Sequence, residues 1–121
     1  MLDDLILHDN GIPIYVQLRD QLSALIGRGV LSPGERLPTM RQVAVALKID
    51  LNTVQRAYAE LEREGILTLV RGRGTFVAKA PPTRDRKAEV EALASRVAAQ
   101  SQALGVGLDD LIAALGALKG R

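Results

Sequence analysis

The stretch from Leu37 to Val77, LPTMRQVAVALKIDLNTVQRAYAELEREGILTLVRGRGTFV, constrains the fold more than any other. Thr39 predicts a helix N-cap, and Gln42, three residues on, completes a capping box. Met40, Val43, Ala44 and Leu47 give that helix one apolar stripe before it breaks at Lys48-Ile49. Asp50 then predicts the cap of a second helix, from Leu51 to about Glu64. Inside it Val54, Ala57, Tyr58 and Leu61 recur at helical spacing and are expected in a core, and Gly65 is expected to stop it. Two helices joined by so short a turn form a helix-turn-helix, whose second helix can lie in the DNA major groove. Ile66 to Val70 and Thr75 to Ala78 are β-branched and apolar, which predicts a hairpin with the four-residue turn Arg71-Gly72-Arg73-Gly74.

Upstream, residues 1–12 read as an irregular lead-in closed by Gly11. Pro13 suits the first position of a helix, where its missing N–H costs nothing. Ile14, Leu18, Leu22, Leu25 and Ile26 follow helical spacing as far as Gly27 or Gly29, with Arg19, Asp20, Gln21 and Arg28 mostly on the other side. Residues 29–38 are dense in Gly and Pro and predict a connection with a tight turn at Pro33-Gly34. A short strand at Arg36-Leu37 is positioned to pair with the later hairpin.

Downstream, consecutive prolines at Pro81-Pro82 stiffen a linker. The expected division is a DNA-binding domain at 1–79 with its core at 11–78, a linker at 80–85 and a helical tail at 86–121. In the tail, Arg84 to Leu104 predicts one helix with Val90, Leu93, Ala94, Val97 and Leu104 on one side. Gly105 and Gly107 interrupt it, and Leu108 to about Lys119 predicts a second helix burying Leu108, Leu111, Ile112, Leu115 and Leu118. Two such helices cannot enclose a large core alone. Their stripes are expected to bury against a second copy of the chain, with alanines permitting close approach.

A chain of 121 residues allows one compact domain plus an appendage. No apolar run approaches the roughly 18 residues of a membrane span, and the acidic start MLDDLILHDN is unlike a secretory signal. The absence of cysteine excludes disulfides and thiolate metal sites and points to the cytoplasm. The single His8 cannot build a histidine metal site within one chain. Net charge is only +2, but its distribution is informative. From Leu37 to Lys79 seven Lys/Arg face four acids, and three of the acids crowd the end of the second helix, which leaves its start and the hairpin tip basic.

Asn52, Thr53, Gln55 and Arg56 are directed outward from the first turns of the second helix. Asn, Gln and Arg can bond base edges bidentately, and Thr suits a phosphate or a thymine methyl; a solvated helix face is the bland alternative. Arg71, Gly72 and Arg73 could enter a minor groove, whose potential favours Arg, or form an ordinary turn with two solvated cations. A phosphate-binding glycine loop is a poor fit, because a strand follows rather than a helix. Arg41 lies near a helix start that already favours phosphate, with a surface salt bridge as its alternative. Tyr15, Tyr58 and Phe76 fall on apolar faces and are expected in the core, and Asp109-Asp110 fits compensation of a helix dipole. No nucleophile–base or acid–base pairing stands out, so neither catalysis nor a cofactor is expected.

With these residues in hand, the chain resembles the GntR family of bacterial winged-helix regulators, specifically its short YtrA-like branch. The matching residues are Pro13-Ile14-Tyr15-Val16-Gln17-Leu18, Gly29-x-Leu31-x-Pro33-Gly34-x-x-Leu37-Pro38-Thr39-x-Arg41, Asn52-Thr53-Val54-Gln55-Arg56-Ala57-Tyr58-x-x-Leu61-Glu62-x-Glu64-Gly65 and Arg71-Gly72-Arg73-Gly74-Thr75-Phe76-Val77. They cover roughly residues 11–78. The resemblance implies a mainly α fold with a small β-hairpin, a winged helix-turn-helix followed by a short two-helix dimerisation tail. It implies a homodimer that binds a two-fold symmetric operator in double-stranded DNA, usually as a repressor. Its DNA contacts would come from Arg41, Asn52, Thr53, Gln55, Arg56, Arg71, Gly72 and Arg73, and Thr39 beside Arg41 is a further candidate contact. The tail contacts would come from Val90, Leu93, Val97, Leu104, Leu108, Leu111, Ile112 and Leu115. Where many members place Ser-Arg, this chain has Asp50-Leu51. A tail of this length cannot form the larger effector-binding or pyridoxal phosphate domains of other branches. A small-molecule effector at the dimer seam, or between tail and winged domain, stays open. So does a winged-helix protein-interaction module without a specific DNA target.

Overall fold

A computed structural model describes residues 1–83 and 85–120. Arg84, expected to begin a tail helix, and Arg121, expected to end the tail, lie outside the described residues. The chain forms two compact units, residues 1–83 and 84–121.

The first unit contains α1 (Ile14–Gly27), α2 (Met40–Leu47), α3 (Leu51–Arg63), β1 (Leu67–Val70) and β2 (Gly74–Val77). Leu18, Leu22 and Leu25 of α1 meet Val43 of α2 and Val54, Ala57 and Leu61 of α3, and the hairpin closes this core with Leu67 and Val77. Leu18, Leu22 and Leu61 are fully buried, and each such leucine contributes about 2 kcal/mol by leaving water. Tyr58 is buried too, its hydroxyl donating to the Pro38 carbonyl at 3.0 Å, and burial pushes the phenol well above its usual range.

The caps form as the sequence predicts. Thr39 and Gln42 complete the capping box, with the Thr39 Oγ1 accepting the Gln42 N–H at 3.1 Å and the Gln42 Oε1 accepting the Thr39 N–H at 2.8 Å. The Asp50 carboxylate accepts the Asn52 N–H at 3.2 Å. The predicted strand at Arg36-Leu37 is present as an antiparallel bridge from Arg36 to Phe76. It is tied by Leu37 N–H to the Thr75 carbonyl at 2.8 Å and Val77 N–H to the Glu35 carbonyl at 2.8 Å, so β2 lies between it and β1.

Four expectations need correction. Pro13 is the cap before α1 rather than its first residue. β1 starts one residue later than expected and ends at Val70 as expected, β2 starts and ends one residue earlier, and Val70 pairs with Gly74. That pairing leaves a three-residue turn of Arg71, Gly72 and Arg73 instead of four. The lead-in is more than an irregular approach, because it includes a 3₁₀ turn at Leu2–Asp4 and places Leu5 in the core. Gln21 is not simply solvated: half-buried, its side chain accepts the Ile6 N–H at 2.9 Å and donates to the Ile6 carbonyl at 2.6 Å. Buried Gln17 does the same one turn earlier, accepting the His8 N–H at 2.8 Å and donating to the carbonyls of His8 and Ile12 at 2.8 and 2.9 Å.

The second unit pairs α4 (Arg86–Ala103) with α5 (Leu108–Lys119). Asp85 caps α4 by accepting the Ala88 N–H at 3.1 Å. Buried Ser101 fixes the turn between the helices, its hydroxyl donating to the Val106 carbonyl at 2.7 Å.

Candidate nucleic-acid interface

Because Val54, Ala57, Tyr58 and Leu61 turn one side of α3 into the core, the opposite side is fixed in space. Asn52, Gln55 and Arg56 are exposed on it, Ala59 extends it without bulk, and Thr53 is half-buried at its margin. Spacings of three and four place residues 52, 55, 56 and 59 on one face. Two of the acids at the far end of α3 are occupied elsewhere. Glu60 bonds Arg19 of α1 at 2.8 Å, and Glu62 accepts the Leu69 N–H at 3.0 Å. The Glu60 hydrogen bond, opposed by partial desolvation, raises the Arg19 guanidinium further above its ordinary value. Asp50, the acid nearest the leading edge, has its carboxylate engaged on the backbone as the cap.

Thr39 and Arg41 are exposed at the start of α2. The Thr39 oxygen serves the capping box as an acceptor, which leaves its hydroxyl proton for an outside acceptor such as phosphate. At the hairpin tip Arg71, Gly72 and Arg73 are all exposed, and the Arg73 N–H closes the turn on the Val70 carbonyl at 2.9 Å.

Two residues that the sequence did not mark as functional stand beside these. Tyr15 is half-buried rather than core, and the Arg56 guanidinium carbon lies 3.7 Å from the centre of its ring. Phe76 is likewise only partly buried. Exposed Arg36, bridged to Phe76, reaches along β2 toward the tip, its Nε 3.1 Å from where a Cβ on Gly74 would stand. The sequence placed Tyr15 on an apolar face and in the motif Pro13-Ile14-Tyr15-Val16-Gln17-Leu18, and neither says what lies opposite the ring.

In the tail, Val90, Leu93, Leu104, Leu108, Ile112 and Leu115 are each more than half exposed, as is Leu118, while Val97 and Leu111 are half-buried. The two helices thus leave an apolar surface that a single chain does not cover.

A helix, a tight turn, a second helix with a polar leading edge and an arginine-tipped hairpin define a winged helix-turn-helix. The chain belongs to the gntR family of bacterial regulatory proteins, whose family model matches residues 14–77. It is 45% identical over 67 residues to the HTH-type transcriptional repressor YtrA of Bacillus subtilis, a match covering 55% of this chain and 52% of the relative. The chain therefore spans about half the length of curated relatives such as this one. Among solved structures, YtrA from Sulfolobus acidocaldarius, a GntR-family transcription factor, superposes with a TM-score of 0.61 at 30% identity, covering 79% of this chain and 98% of that one. AraR(DBD) in complex with operator ORX1 superposes with a TM-score of 0.55 at 28% identity, covering 61% of this chain and 93% of that one.

Proposed function

We propose that this chain is a sequence-specific DNA-binding transcription regulator, acting as a homodimer on a two-fold symmetric operator and repressing by promoter occlusion. The observation that carries this reading is the exposed polar edge of α3, Asn52, Gln55 and Arg56, set opposite a fully apolar face. In the major groove, Asn52 and Gln55 suit adenine and Arg56 suits guanine. Thr39, Arg41 and Thr53 suit phosphates, which position the helix without reading sequence. Arg71, Gly72 and Arg73 suit the neighbouring minor groove, where a narrow tip and two cations are favoured. Two relatives support the reading: YtrA is a transcriptional repressor, and AraR(DBD) has been solved on operator DNA.

Residues 1–79 serve as the DNA-binding domain, 80–85 as the linker and 86–121 as the dimerisation tail. Val90, Leu93, Val97, Leu104, Leu108, Leu111, Ile112 and Leu115 supply the contact between copies. Half-sites then lie about one helical turn (~34 Å) or a multiple apart. The regulator works in the cytoplasm, without catalysis or a cofactor, and no helix among the described residues is long and apolar enough to cross a membrane. The α3 edge presents no apolar anchor of the kind that dominates protein–protein interfaces, so the interaction-module reading has no observation in its favour. Selection of bound duplexes from a random pool tests the function. A palindromic consensus whose affinity falls steeply with salt is expected; failure to enrich any duplex at low salt would overturn it.

A further inference from the structure

Arg56 is held rather than loose. Its guanidinium carbon stands 3.7 Å from the centre of the Tyr15 ring, a separation that two flat groups reach face to face. One turn further along both helices, Arg19 of α1 bonds Glu60 of α3 at 2.8 Å and also reaches Asp20 at 3.0 Å. Two pairs spaced by four residues thus face each other across the packing of α1 on α3: Tyr15 and Arg19 against Arg56 and Glu60.

The arrangement has a consequence for the chemistry of Arg56. Within α3 alone, Arg56 and Glu60 are neighbours at the spacing where opposite charges pair, which would draw the guanidinium donors along their own helix. Arg19 takes the Glu60 carboxylate instead. The Tyr15 ring meanwhile occupies the guanidinium face, the surface that makes no hydrogen bonds, and leaves the N–H edge outward. We infer that Tyr15 and Arg19 form a cradle on α1 that positions Arg56 for DNA, Tyr15 by stacking and Arg19 by diverting Glu60. This rests on the reading above that Arg56 meets DNA. Tyr15 and Arg19 are positioning residues, acting on nucleic acid only through Arg56.

The test uses the full chain and a duplex enriched from a random pool by the wild-type protein, with affinities measured by mobility shift at one salt concentration. Tyr15→Phe keeps the ring and should bind within about twofold of wild type, whereas Tyr15→Leu should lose about three- to tenfold, from the stack and the cost of reordering Arg56. In an Arg56→Ala background Tyr15→Leu should cost nothing further, because the group it positions is gone. Arg19→Met reads the same cradle without touching the ring. It should weaken binding, and adding Glu60→Gln should restore it. Tyr15→Leu binding as wild type or more tightly overturns the inference, as does an equal loss with and without Arg56, which would mark a merely structural role. Should Tyr15→Leu unfold, the Arg19 and Glu60 pair decides, and its failure to show loss and rescue overturns the cradle. Wild-type affinity in Arg56→Ala overturns the cradle together with the Arg56 contact, while failure of the wild type to enrich any duplex removes the DNA-binding function itself.

Discussion

A methyl group at position 74 would stand 3.1 Å from the Arg36 Nε, on a backbone with φ of +123°. The arginine can swing aside, but the backbone strain stays. Gly74→Ala should therefore lower stability by about 1–3 kcal/mol in urea unfolding. Arg73, exposed at the tip, behaves differently. Arg73→Ala should leave the unfolding midpoint unchanged and weaken binding to a selected duplex by roughly 1–3 kcal/mol, read by mobility shift; unchanged binding would remove the wing from the interface. Tyr58→Phe removes only the bond to the Pro38 carbonyl and should cost about 1 kcal/mol of stability. At this scale the sequence was uneven. Tyr58 was legible as core because it belongs to an unbroken apolar stripe on α3. Tyr15 was not, because periodicity reports which side of a helix is apolar and is silent on which long side chain of a neighbouring helix covers its edge.

Elements were easier to read than their ends. Each of the first three helices closes with the same pair of backbone bonds, as in Gly65 N–H to the Glu62 carbonyl at 3.0 Å and Ile66 N–H to the Leu61 carbonyl at 2.9 Å. In α2 the left-handed position falls to Lys48 at φ 55°, where the other two helices have glycine. Lys48→Gly should thus be tolerated and should raise stability by up to ~1 kcal/mol, since relief of the strained φ outweighs the added chain entropy. A drop in thermal midpoint would show that the lysine side chain contributes more than its backbone costs. Thr39→Ala, which breaks the capping box, should lose about 1 kcal/mol. Both caps were visible in the sequence because polar cap residues precede apolar stripes of clear helical period. The hairpin turn is one residue shorter than its sequence predicts because Arg71-Gly72-Arg73-Gly74 offers glycine at two alternate positions, and the sequence does not distinguish the two registers.

For the whole molecule, both tail helices and the break between them at Gly105 to Gly107 were legible in the sequence, whereas no sequence pattern says what covers their apolar residues. Ile112 and Leu115 are 65% and 53% exposed in the single chain. If they form the contact between copies, Ile112→Glu or Leu115→Glu should shift the protein to monomer in analytical ultracentrifugation. Affinity for a two-fold selected duplex should fall by at least tenfold, since each half-site must then be won separately. A dimer that survives both changes would place the contact elsewhere. The N-terminal dozen residues carry a different consequence. With Gln17 and Gln21 bonded to the backbone of Ile6 and His8, the part of this segment beyond its 3₁₀ turn is fastened down by side chains in place of a strand neighbour. Deuterium from solvent should enter its amides on the slow clock of the core, and Gln17→Leu should quicken the His8 amide while leaving Ile6 slow.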